Sequence, residues 1–245
     1  MAAVINPNVI IKESVEEVAH ELCSLIANIS SAAIERDGTF RIGLSGGSLV
    51  TILSQVLGKL ETDWSKWFIF FCDERVLCQN DVEPLHTIYE NLFDELKINI
   101  PSENIVKVDT NVPPQESSKD YISKLALYFP PVQFPRFHCL LLGLGPDGHV
   151  CSLFPNDKVL SETSIWVAPV MNAPKPPPCR ITFTFPVINN AEFCIFTAFG
   201  REKSQVLKDI FSGNDLPATR VKPTNGSLVW ILDKTAASEI FHSDE

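Results

Sequence analysis

The stretch from His138 to Pro155, HCLLLGLGPDGHVCSLFP, constrains the fold more than any other part of the chain. Cys139 to Leu142 is apolar at every position, as expected of a strand covered on both faces, and such strands belong to parallel sheets flanked by helices. The run breaks at Gly143, Gly145, Pro146 and Gly148, and a helix-like segment is expected to open near His149. A buried strand that ends in glycines delivers its next polar residues to the crevice at the sheet's carboxyl edge, where open α/β folds bind ligands. Those residues are Asp147 and His149, a carboxylate and an imidazole close enough to work as a proton-transfer unit.

The rest of the chain repeats the theme. Strands are expected at Val9–Ile11, Phe40–Leu44, Trp67–Cys72, Ile105–Val108, Ile165–Val170, Arg180–Phe185, Phe193–Phe199 and Leu228–Leu232. Between them run helical patterns: one from an N-cap at Ser14, with Glu17 three residues on, to just before Asp37-Gly38. Others cover about Leu49–Leu57, Leu85–Leu96, Pro113-Pro114 to Tyr128, Glu202–Phe211 and Lys234–Phe241. Lys175-Pro176-Pro177-Pro178 reads as a stiff connector, because each proline fixes its φ angle. Alternating strands and helices predict a doubly wound, Rossmann-like α/β domain with a mainly parallel sheet and helices on both faces. At 245 residues, 45% hydrophobic and without repeats or a convincing linker, the chain is expected to form a single domain.

Composition narrows the function. A net charge of −10 argues against nonspecific nucleic-acid binding, so an anionic ligand would need a local cluster of cations. No apolar run approaches the ~20 residues of a membrane span, and the first residues lack the pattern of a secretory signal. The seven cysteines form no CxxC pair and no zinc-like spacing, which points to free thiols in a reducing cytosol. The sequons at Asn28 and Asn225 are then incidental.

Three short patterns invite functional readings. Gly143 to Gly148 spells GxGxxG, but Pro155 ends any helix too early for a dinucleotide site, and the next strand, ending at Pro169-Val170, carries no acid. Gly43 to Gly47 spells the GxSxG of a nucleophile elbow, with Asp147 and His149 following in chain order. An acid and a histidine two residues apart on one tight loop are not expected to serve such a triad, in which separate loops normally supply them. The third reading takes Ser45-Gly46-Gly47-Ser48 as an anion cradle, in which glycines bare backbone N–H groups at a helix start. Arg75, Arg180 and Lys203 also lie beside expected strand ends, and together these groups would suit a phosphate.

GLSGGS, CDER, LGLGPDGHVCSLFP, KPPPCRIT and GREK occur in this order from about Val9 to Ile240. The set resembles the 6-phosphogluconolactonases, relatives of the glucosamine-6-phosphate deaminases and isomerases. The resemblance implies a doubly wound α/β fold and hydrolysis of a sugar-phosphate lactone without a metal or organic cofactor. It implies His149 as catalytic histidine, acting on water, and Asp147 as the carboxylate that orients it. Asp73 and Arg75 match a substrate-contacting pair, and Ser45, Gly46, Gly47 and Ser48 the phosphate loop. Arg180 and Lys203 are the expected phosphate cations, and backbone N–H groups of the Gly145–His149 loop the expected oxyanion donors. No nucleic-acid or membrane partner is implied, and a cytoplasmic monomer is expected.

The chain departs from the family pattern after CDER. Leu77-Cys78 and Pro84-Leu85-His86 stand where that pattern carries Val-Pro and then a serine, a hydroxyl or amide, and a tyrosine. Proline can still start a helix there. His86 either replaces the lost polar contact or faces solvent. The departure keeps open a sugar-phosphate isomerase or deaminase, with Asp73 moving a proton, and a sugar-phosphate-binding protein without turnover.

Overall fold

The computed structural model describes residues 8–76, 82–130 and 133–240. Its strands are β1 (Asn8–Lys12), β2 (Phe40–Leu44), β3 (Trp67–Phe71), β4 (Asp73–Arg75), β5 (Cys139–Leu142), β6 (Val167–Val170), β7 (Arg180–Phe183), β8 (Phe193–Ala198) and β9 (Ser227–Asp233). The helices are α1 (Val15–Asp37), α2 (Ser48–Val56), α3 (Leu85–Glu95), α4 (Pro114–Leu125), α5 (Phe185–Ile188) and α6 (Ser204–Phe211). No helix among the described residues is long and apolar enough to cross a membrane.

The main sheet has the order β1-β9-β8-β5-β2-β3, and every pairing in it is parallel. Its apolar strands bury side chains on both faces. Cys139 and Leu141 of β5 point into a core built with α1, α2 and α3, while Leu140 and Leu142 point into a second core with α4 and α6. From β2 the chain winds one way to β3, whereas from β5 it winds the other way through β8 to β9. The reversal falls between β2 and β5, so the loops leaving these two neighbours border the switch-point crevice.

Helix α1 shows how closely local chemistry sets the boundaries. Ser14 caps it by accepting from Glu17 N, and Gly38 closes it at φ 72°, its N–H donating to Ile34 O. Glu17 Oε2 accepts from Glu13 N, one residue beyond the N–H of the Ser14 cap that a capping box would use.

Four expectations need correction. A three-stranded antiparallel sheet, β4-β7-β6, takes Asp73–Arg75, Arg180–Phe183 and Val167–Val170 out of the main sheet. Cys72 is the joint: its N–H donates to Leu44 O of β2 and its carbonyl accepts from Phe183 N of β7. The strand expected at Ile105–Val108 shrinks to one bridge between Ile105 and Ile69, for the Lys107 carbonyl accepts from Lys124 Nζ and no ladder continues. The helix expected at His149 does not form. Gly148 and Cys151 have φ of 78° and 52°, left-handed values no α-helix admits, and Leu153 N turns back to Val150 O. The expected helix at the C-terminal end is a single 3-10 turn, Ala236–Glu239, and Phe241 lies outside the described residues.

Candidate active site

At the switch point a cavity of about 300 Å³ is lined by Ser45, Gly46, Gly47, Ser48, Asp73, Arg75, His149, Arg180 and Lys203. These are nine of the ten residues expected from sequence; the tenth, Asp147, sits behind His149 as its hydrogen-bond partner.

The Gly145–His149 loop is built around the imidazole. Gly148 N donates to Gly145 O, with Pro146 and Asp147 at the turn's centre and Gly148 in the left-handed conformation that closes it. Gly145 N then donates to His149 O, folding the histidine back over the loop. A β-carbon on residue 145 would lie 1.9 Å from His149 Nδ1, so only glycine leaves room for the ring. Phe154 packs against the imidazole at 4.5 Å between centroids. The pairing of Asp147 Oδ1 with His149 Nδ1 corrects one expectation: residues two apart on a tight loop do achieve the triad's carboxylate–imidazole contact. A serine nucleophile still finds no support, because buried Ser45 Oγ faces Cys151 Sγ at 3.9 Å on the cavity floor.

The electrostatics set the protonation state. Burial is the main force holding His149 below the ordinary imidazole value, with Lys175 adding to it and Asp147 and Asp73 opposing it. Burial pulls Asp147 upward, but the His149 hydrogen bond and the charges of His149 and Lys175 outweigh it, and the carboxyl titrates below its ordinary value. At neutral pH Asp147 is therefore an ionised acceptor, the proton sits on His149 Nδ1, and Nε2 is left as a base.

The Ser45–Ser48 loop has a different construction. Gly47 turns the chain at φ 73°, and no side chain caps α2, whose first N–H groups have no intrahelical partner. Buried Tyr89 anchors the loop by donating to Ser45 O at 2.7 Å. Ser48 is exposed at the helix start, whereas the Ser45 hydroxyl is turned down to the floor.

Each remaining group is held from behind. Asp73 Oδ2 accepts from Ser152 Oγ at 2.8 Å; burial is the main influence on this carboxyl and raises it. Lys203 Nζ donates to Leu144 O at 2.8 Å, and burial lowers its titration. Arg180 is 5% exposed and donates to the carbonyls of Lys175, Pro176 and Pro177, which makes it a brace for the proline connector. Lys175 and Ser152 were given no site role by the sequence, whereas Leu85 belongs to the Pro84-Leu85-His86 departure. Leu85 is on the cavity wall. His86 does neither of the things expected of it: its ring is mostly buried between Phe71 and Glu74, 3.6 Å from Glu74 Oε2, and is not on the wall. The Glu74 carboxylate accepts from Leu85 N at 2.8 Å and so caps α3, which Pro84 cannot do. Leu77 and Cys78 lie outside the described residues.

A family model described as glucosamine-6-phosphate isomerases/6-phosphogluconolactonase matches residues 13–230. The chain belongs to this family. Its relatives include a Drosophila melanogaster protein named probable 6-phosphogluconolactonase, 40% identical over 95% of this chain and 95% of that one. Rat 6-phosphogluconolactonase is 38% identical over 91% of this chain and 90% of its own. Among solved structures, 6-phosphogluconolactonase from Trypanosoma cruzi is 27% identical and superposes with a TM-score of 0.81 over 97% of this chain and 98% of that one. These family members cover 91–97% of the chain, and the family model spans the loops that line the cavity.

Proposed function

We propose that this chain hydrolyses 6-phospho-D-glucono-1,5-lactone to 6-phospho-D-gluconate in the oxidative pentose phosphate pathway. The observation that carries the reading is an imidazole, oriented by Asp147, that opens on a cavity lined also by the start of α2 and by Arg75 and Lys203. The phosphate sits at the α2 N-terminus, where unpaired N–H groups and the helix dipole favour an anion, with Lys203 beside it. His149 Nε2 accepts a proton from water as the oxygen attacks C1, and the imidazolium then returns it to the departing ring oxygen. Asp147 holds the ring and stabilises that imidazolium. Gly145 and Gly148 use their N–H groups to close their own loop, so the developing oxyanion falls to Arg75 and to the loop's remaining amides. Asp73, fixed by Ser152, orients the sugar. On the same reading the chain works as a cytosolic monomer.

The test is an assay of purified protein on freshly made lactone, corrected for spontaneous hydrolysis. Acid release well above background is expected. Ammonia release from glucosamine 6-phosphate would point instead to a deaminase. Tight binding of 6-phosphogluconate without turnover would make the chain a binding protein.

A further inference from the structure

Lys175 belongs to the connector between β6 and β7, yet its ammonium reaches the Gly145–His149 loop. Nζ lies 3.4 Å from Asp147 Oδ1 and 3.5 Å from His149 Nδ1. Because Nδ1 carries the proton, the ammonium donates to the carboxylate, to the same oxygen that receives His149. This placement is built and not incidental. Buried Arg180 donates to Lys175 O at 3.0 Å, to Pro176 O at 3.3 Å and to Pro177 O at 3.0 Å, and Ala173 N donates to Pro178 O. Three consecutive prolines add fixed φ angles, so the backbone presenting the ammonium has little freedom.

Asp147 needs such a hold. Its side chain is 36% exposed on a surface loop, and a carboxylate there exchanges easily between an imidazole and water. We propose that Lys175 is a positioning residue for the catalytic pair: its ammonium keeps the Asp147 carboxylate against His149 Nδ1, and Arg180 serves the reaction by fixing the loop that presents it. This rests on reading His149 as the general base.

The charged groups facing the imidazole are Asp147, Asp73 and Lys175. Lys203 faces Asp147 and Lys175 from the neighbouring loop, and Arg180 lies over the Phe154 ring that packs on His149. Removing the Lys175 cation removes a repulsion from imidazolium, but releasing Asp147 removes the larger attraction, so His149 should protonate at lower pH. In Lys175→Met the acid limb of kcat/KM should move down by roughly half to one pH unit. At the same time kcat should fall about tenfold with KM nearly unchanged, as for a lost transition-state interaction. Lys175→Arg, which keeps the charge, should restore most of both.

The same shift should appear in the NMR titration of the His149 ring in substrate-free protein, which reports on the contact without any turnover. A titration midpoint unchanged or raised in Lys175→Met would overturn the proposal, because Asp147 would then keep its place without the ammonium. So would a raised KM with kcat and the acid limb unmoved, because Lys175 would then be gripping substrate. A wild type without lactonase activity whose His149 titration still moves down in Lys175→Met supports the positioning and defeats only the reading of the reaction.

Discussion

Two glycine-rich loops leave neighbouring parallel strands at the switch point, and they use their glycines for opposite purposes. Ser45–Ser48 follows β2 and runs straight into α2; Gly47 is a conformational hinge with φ 73°, and a β-carbon there would meet nothing within 4 Å. Gly143–His149 follows β5 and folds back on itself, and Gly145 is a space-maker whose missing β-carbon is the seat of the imidazole. One loop exposes backbone donors; the other uses two of its own and exposes a side chain. Similar strand-then-glycine sequences can thus present backbone donors or a side chain. What separates them is whether the turn after the strand permits a helix, and Gly148 and Cys151 forbid it.

Breaking the catalytic loop should have the largest effects. His149→Ala is expected to lower kcat by about 10² to 10⁴-fold with the circular dichroism spectrum unchanged, as loss of a general acid–base requires. Gly145→Ala should come close to it. The added methyl cannot share space with the ring, and displacing a catalytic group by about an ångström costs about 100-fold in rate. Steady-state kinetics that find this variant near wild type would mean the ring has another seat.

Gly47→Ala probes the other loop and should behave differently. With open space around the β-carbon, the penalty is the backbone conformation, φ 73° and ψ −142°, which only glycine adopts readily, about 1–3 kcal/mol of stability in a denaturant titration. Its kinetic effect should be a raised KM with kcat largely kept, since the proposed role of this loop is phosphate binding and not proton transfer. A fall in kcat as large as that of Gly145→Ala would erase the distinction between the loops.

The sequence carries one side of this comparison better than the other. Phe40–Leu44 and Cys139–Leu142 announce themselves as buried strands because they are uninterrupted apolar runs, and the Pro-Asp-Gly turn carries its own signature. The second sheet is silent by contrast. β4 has three residues, and its partner β7 lies about a hundred positions away, so no local period marks the pair. Lys175 was hidden for a related reason. Its neighbours in sequence are prolines, and its functional neighbours, Asp147 and His149, become visible only once buried Arg180 has fixed the connector. His86 was misplaced because its partner is distant in sequence: Glu74, eleven residues before Leu85, caps α3 and lies 3.6 Å from the largely buried imidazole.

The central claim is that the imidazole held by Asp147 is the group whose deprotonation switches on hydrolysis. Overlaying the acid limb of the kcat/KM profile on the NMR titration of the His149 ring tests it most directly. The two curves should share one midpoint, and that midpoint should lie below about 6.5, the ordinary imidazole value, because burial disfavours the cation. A rate that stays constant while His149 takes up its proton would contradict it.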